Sequence, residues 1–311
     1  MARGTVKVKK LIASVLRLPA DALLASSSKL PLHVRHHARA GALADPGLSA
    51  KFYPHAPDAA SYLVPPRESP AGRPPVPPPG LLVHSYLGDD PEAYLSCGWT
   101  HVGRMLEILG DLPAGARVLD FGCGDGMMLR HLCPRGGESW GVDINGELIL
   151  WCQQNLSPPF KFLTTTSFPH LPFEDNYFDL IYSFSVFTHI CDLADAWLLE
   201  LRRTLRPGGR AYLTVHDNRT VELLTSGGVA CALSEQLAAA EVPFREGFAF
   251  FTLNRMPGGG IEYSEHSLPA QVFYDAEYLR RHWGNYLEVE RIVEEAYGYQ
   301  SAVVLRKGAA G

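Results

Sequence analysis

The chain has 311 residues, 46% hydrophobic and 20% charged, with 14 Phe, 13 Tyr and 5 Trp. That composition excludes a wholly disordered or collagen-like protein, and the length suits two domains or one α/β domain with additions. The net charge of −5 is unevenly spread: residues 1–40 carry eight Lys or Arg against Asp21 alone, which leaves 20 basic and 32 acidic side chains in residues 41–311. So acidic a body argues against a grip on nucleic-acid phosphates, whereas the basic arm is suited to peripheral contact with a membrane surface or a partner. No run approaches the roughly 18 apolar residues of a membrane-spanning helix. Arg17 also cuts the apolar run Leu11–Leu16 too short for a signal peptide, so a cytoplasmic location is expected. The six cysteines form neither a C-x-x-C pair nor a zinc spacing and read as reduced, mostly buried thiols, with no metal site expected.

Between Pro54 and Pro79 ten of 26 residues are proline, which lacks the amide donor that helices and central strands require. This segment is expected to be extended, either as a linker or surface strap or as a docking site for a proline-reading partner. Residues 1–85 are therefore read as an N-terminal extension, basic and then proline-rich, and residues 86–311 as the main domain. Asp89-Asp90-Pro91 opens a helix with apolar residues near helical spacing from Tyr94 to Leu109, and Gly110 stops it.

Strands and helices then alternate: strand 117–121, helix 127–133, strand 139–144, helix 147–156, strand 160–166, strand 178–184, helix 192–205, and strand 210–215 after a Pro207-Gly-Gly209 turn. Such alternation needs right-handed crossovers and gives a parallel sheet covered by helices on both faces. The rhythm breaks after His216, through Gly227-Gly228, an alanine-rich stretch, Phe244, Phe248, Phe250 and Phe251, and Gly258-Gly-Gly260. This insertion, at about residues 218–273, follows the carboxyl end of a strand and is read as a substrate cap, although its phenylalanines also suit an ordinary core. A helix over 274–283 and strands over 287–293 and 301–305 close the domain.

The chemistry concentrates in Val118-Leu-Asp-Phe-Gly-Cys-Gly-Asp-Gly126, a buried strand entering a turn with glycines at 122, 124 and 126. A turn without Cβ atoms brings backbone amides against a ligand. Asp120, just before the glycines, is placed to hold an ammonium group. Asp143 closes the next strand, 19 residues after Gly124, where its carboxylate can accept from both ribose hydroxyls. Met127 occupies the slot that a dinucleotide-binding G-x-G-x-x-G turn gives to glycine.

Together with Gly141-Val-Asp143, Leu171-Pro-Phe-Glu-Asp-Asn-Tyr-Phe-Asp179 and Leu205-Arg-Pro-Gly-Gly209, this turn resembles the class I S-adenosylmethionine-dependent methyltransferases over about Val118 to Arg306. Ser183-Phe-Ser-Val-Phe-Thr-His189, Tyr263-Ser-Glu-His266 and Gln300-Ser-Ala-Val-Val-Leu-Arg306 are similar to a bacterial small-molecule and sugar methyltransferase subgroup. The resemblance implies an α/β, Rossmann-like, doubly wound, mostly parallel seven-stranded sheet with an antiparallel last strand. It also implies S-adenosylmethionine as cofactor, held by Asp120, Gly122, Cys123, Gly124, Gly126, Asp143, Ile144, Ser167 and Ser183. Ser167 stands where the family commonly places an acid for the adenine amino group.

Transfer to a hydroxyl needs a base, and His189, His216 and His266 are the candidates; each also reads as an ordinary crevice or cap residue. The family's adenine-methylating N/D-P-P-Y/F/W clamp and cytosine-methylating Pro-Cys pair are both missing. The implied reaction is therefore methylation of an oxygen, less readily a nitrogen or carbon, of a small acceptor such as a sugar or a natural-product intermediate. The alternative is a binding protein that keeps the fold without catalysis.

Overall fold

The computed structural model describes residues 74–82, 90–132, 137–190, 193–229, 231–239, 250–253 and 271–308. In chain order its strands are β1 (Arg117–Phe121), β2 (Glu138–Asp143), β3 (Lys161–Thr164), β4 (Phe178–Ser183), β5 (Leu205–Val215), β6 (Phe250–Leu253), β7 (Gln271–Tyr274), β8 (Glu288–Tyr297) and β9 (Gln300–Arg306). Seven of them form one sheet in the order β3-β2-β1-β4-β5-β9-β8, and β6 pairs with β7 in a separate antiparallel ladder. β1 to β5 are parallel, while β9 runs antiparallel to both β5 and β8. The expected doubly wound sheet with an antiparallel last strand is what forms.

Successive strand residues feed two cores, as a pleat with period two requires. On β4, Leu180 and Tyr182 pack on one side and Ile181 on the other; on β9, Val304 and Val303 divide likewise. The face of Val304 is covered by α1 (Pro91–Leu109) and α2 (Gly146–Asn155), through residues such as Met105 and Ile149. The opposite face is covered by α3 (Ala194–Thr204) and, beyond α4 (Asn218–Thr225) and α5 (Ala232–Ala239), by α6 (Ala276–His282), through Leu201 and Leu279. Asp90 caps α1 by accepting from the Glu92 amide at 2.9 Å, and Asn145 caps α2 by accepting from the amides of Glu147 and Leu148.

Two local expectations need correction. The helix expected over 127–133 is a single 3₁₀ turn, Leu129–His131. Met127, Met128, Leu129 and Leu132 are all buried, with only Arg130 and His131 half-buried between them, and the Asp125 carboxylate takes up the Met127 amide. The Pro207-Gly-Gly209 turn is instead part of β5, which starts at Leu205 and bulges as its pairing with β4 jumps from Phe178↔Leu205 to Leu180↔Arg210. Backbone bonds between Gly208 and Lys307 and between Lys307 and Gly209 (2.8 and 2.9 Å) keep the bulge in the sheet. In the C-terminal part, α6 begins at Ala276 after an Asp275 cap.

From β1 the sheet grows one way through β2 and β3, then β4 returns to the other side of β1. The carboxyl ends of β1 and β4 thus flank the switch point where an open α/β sheet leaves a crevice.

Candidate active site

β1 ends in the glycine turn. The amides of Gly122 and Cys123 both donate to the Val142 carbonyl, at 2.8 and 3.0 Å, which holds the turn against β2. Gly122 has φ +84°, and a Cβ there would lie 2.2 Å from Val186 Cγ2, so glycine is required both by conformation and by space. Asp143, at the end of β2, accepts from the Gly124 amide with Oδ2 (2.9 Å) and from the Asn145 amide with Oδ1 (2.8 Å). One carboxylate therefore braces the turn and the entrance to α2 together.

Two further carboxylates converge here. Asp120 is buried and accepts from the Tyr182 hydroxyl at 3.0 Å; Asp125, also buried, accepts from the Tyr94 hydroxyl at 3.0 Å. Burial pushes the Asp120 carboxyl well above the ordinary carboxylate range; Asp143 and Asp125 add to this, while the Tyr182 bond opposes it. Burial also raises Asp143, against the pull of the Asn145 and Gly124 amides. Crowded, poorly solvated acids of this kind are stabilised in their charged form by a cation.

A cavity of about 480 Å³ opens over this cluster. Of the residues expected at a cofactor, Asp120, Gly122, Cys123, Gly124, Asp143 and Ile144 line it. Gly126, Ser167 and Ser183 do not. Gly126 packs closely against α2, since a Cβ there would sit 2.6 Å from Leu156 Cδ1 at its end. Ser167 lies half-buried in the loop after β3, and Ser183 is buried at the end of β4 with its hydroxyl unpartnered among the described residues.

Of the three candidate histidines, His189 and His216 are described, and they separate. His189 lines the cavity on the loop after β4, its amide donating to Val186 O at 2.9 Å. His216 is outside the lining, 1% exposed, with its ring 4.8 Å from that of Phe273 and 5.8 Å from that of Tyr299. Burial, reinforced by His189, lowers its pKa to about 3, so it is neutral at physiological pH. His266, with Phe244 and Phe248 of the expected cap, falls outside the described residues. The four described cysteines (Cys97, Cys123, Cys152 and Cys231) are free thiols, and burial raises the pKa of Cys123 and Cys152.

Several lining residues were not foreseen: Leu81 and Leu82 from the proline-rich segment, Met127 and Met128, Ser185, and Tyr297 from the end of β8. Ser185 has φ +56°, unusual for a residue with a side chain. Its amide donates to Thr214 Oγ1 (2.7 Å), Thr214 donates to Gln300 Oε1 (2.8 Å), and Gln300 Nε2 donates to Ser185 Oγ. This closed network over-determines the strained position at the exit of β4, where functional loops concentrate strain. Asp125 was readable, since it sits inside the glycine turn.

Residues 119–213 match the family described as "Methyltransferase domain". This span carries a methyltransferase domain. Curated relatives are similar over part of the chain: the biotin biosynthesis bifunctional protein BioHC of Cellvibrio japonicus is 33% identical over 121 residues, 38% of this chain and 24% of that protein. Sterol 24-C-methyltransferase ERG6B of Gibberella zeae is 35% identical over 115 residues, covering 35% and 30%. The ubiquinone/menaquinone biosynthesis C-methyltransferase UbiE of Cupriavidus pinatubonensis is 30% identical over 130 residues, covering 38% and 51%. The chain thus spans from a quarter to about half the length of these relatives.

The cofactor of this methyltransferase domain is S-adenosylmethionine, and the site fits it on physical grounds. The molecule carries an ammonium and a sulfonium charge, which answer the crowded carboxylates, and its carboxylate suits a turn with bare amides. Among the described residues no cluster of three metal-ligating side chains occurs and no helix is long and apolar enough to cross a membrane.

Proposed function

We propose that this chain transfers the methyl group of S-adenosylmethionine to an oxygen of a small-molecule acceptor, with His189 taking the acceptor's proton. The observation that carries the reading is the sharing of one cavity by the glycine turn, Asp143 and His189. The bound cofactor supplies a methyl group already activated as an electrophile, so the protein's work is alignment, exclusion of water and removal of one proton. Asp143 is proposed to take the ribose hydroxyls with the lone pairs its backbone bonds leave free, and Asp120 the ammonium group through its electrostatic field.

His189 is the histidine positioned for a base. His216 is enclosed and a weak base, which supports His189 over it. Phe184, Val186 and Met127 give the cavity apolar walls that exclude water from the transfer. The acidic body supports a small acceptor over a nucleic acid. A sugar or natural-product acceptor rests on the Ser183–His189 likeness, and a cytoplasmic setting on the apolar run Leu11–Leu16 cut by Arg17 and on the cysteine pattern of the sequence. The named C-methyltransferase relatives make carbon the rival acceptor atom.

The test is incubation with methyl-labelled S-adenosylmethionine and a panel of glycosides, phenols and quinols. Label in a product is expected, with His189→Gln lowering turnover about 100-fold while affinity for S-adenosylhomocysteine holds. No labelled product from any acceptor, with S-adenosylhomocysteine bound normally, would favour the non-catalytic binding protein.

A further inference from the structure

The proline-rich segment Pro74–Leu82 runs onto the cofactor cleft. Pro77 is buried, and Val76 and Leu82 pack against the core shared by α1 and α2. A 3₁₀ turn, Pro79–Leu81, then delivers Leu81 and Leu82 to the wall of the cavity that Asp143 and the glycine turn also line. The strap is clamped from the glycine-turn side: Arg130 Nη1 donates to the Pro75 carbonyl at 3.1 Å. The same guanidinium lies 5.1 Å from the centre of the Tyr94 ring, and the Tyr94 hydroxyl holds Asp125 inside the turn. Strap, Arg130, Tyr94 and Asp125 therefore form one contiguous chain of contacts that ends in the residues bracing the cleft.

We infer that this strap is a built part of the cofactor site, with Leu81 and Leu82 as cofactor-binding residues and Arg130 as the residue that positions them. The inference rests on the cofactor reading of the cleft. Five prolines in Pro74–Pro79 lower the entropy that the strap loses on docking, because each ring fixes its own φ. Two leucines on the wall give apolar area that a nucleoside filling the cavity covers, so ligand binding and strap docking reinforce each other. A linker that merely crossed the surface would need neither the turn that aims the leucines nor the arginine clamp.

The test uses the full chain and S-adenosylhomocysteine, read by calorimetry and by amide hydrogen exchange at Val76, Gly80, Leu81 and Leu82. Ligand is expected to slow exchange at Leu81 and Leu82. The double variant Leu81→Ala/Leu82→Ala is expected to bind about tenfold more weakly. Arg130→Met, which keeps the stem but loses the donor, is expected to speed exchange at Val76 and Leu81 in the free protein and to weaken binding. Affinity within twofold of the parent for both variants, with no ligand effect on strap exchange, would overturn the inference while leaving the cofactor reading intact. Absence of binding by the parent chain would instead overturn that reading.

Discussion

The two ends of the cleft treat their buried polar groups in opposite ways. At the β1–β2 end, Asp120, Asp125 and Asp143 each accept hydrogen bonds from within the fold. At the β4–β5 rim, the hydroxyls of Ser183 and Thr188 are buried without a hydrogen-bond partner among the described residues, and the His216 ring is buried beside Phe273 and Tyr299. The first arrangement is rigid before any ligand arrives, as a site for one invariant cofactor should be. The second keeps polar capacity in reserve beside an insertion, which suits a rim whose partner differs from enzyme to enzyme.

The sharpest way to break this contrast is at the turn itself. Gly122→Ala puts a methyl group into the stiff, β-branched Val186 and imposes a left-handed φ on a residue with a side chain. It is expected to cost about 2 to 3 kcal/mol of stability and more than 100-fold in S-adenosylhomocysteine affinity, read by thermal unfolding and calorimetry. Asp143→Ala removes the brace between turn and α2 together with the proposed ribose acceptor, and a loss of more than tenfold in affinity is expected. At the rim, His216→Phe places an apolar ring beside those of Phe273 and Tyr299 and removes a histidine that burial holds neutral. Cofactor affinity and turnover are expected to stay within about twofold, and stability to hold or rise. A large loss of turnover in that variant would move the base from His189 to His216.

The rigid end was readable because its determinants are local. Nine consecutive residues, Val118 to Gly126, contain the strand, the turn and two of the three carboxylates, and Asp143 follows at the end of the next strand. Alternating apolar strands and capped helices likewise made the sheet legible. What escaped depends on distant contacts. Tyr94 reads as one more apolar position of α1, yet its hydroxyl reaches Asp125, 31 residues away. The strained φ of Ser185 is imposed by Thr214 and Gln300 on other strands, which no local propensity encodes. The proline-rich strap announced its extended shape but not where it docks, because Arg130 lies 55 residues beyond Pro75. The turn expected at Pro207-Gly-Gly209 became a bulge because Lys307, from the far end of the chain, holds it laterally.

Charge gives the most direct measurement. Burial holds Asp120 and Asp143 above the ordinary carboxylate value of 3.8, so without ligand these groups bind protons more tightly than the unfolded chain does. Their contribution to folding therefore becomes more favourable as pH falls through the raised values. A cationic ligand favours the ionised acids, so its affinity falls in the same direction. Calorimetric titration of the intact chain with S-adenosylmethionine, at about pH 8 and again at about pH 5, is expected to show one site per chain that weakens on acidification. No heat at the higher pH, or equal affinity at both, would contradict a cleft built around carboxylates awaiting a cationic nucleoside.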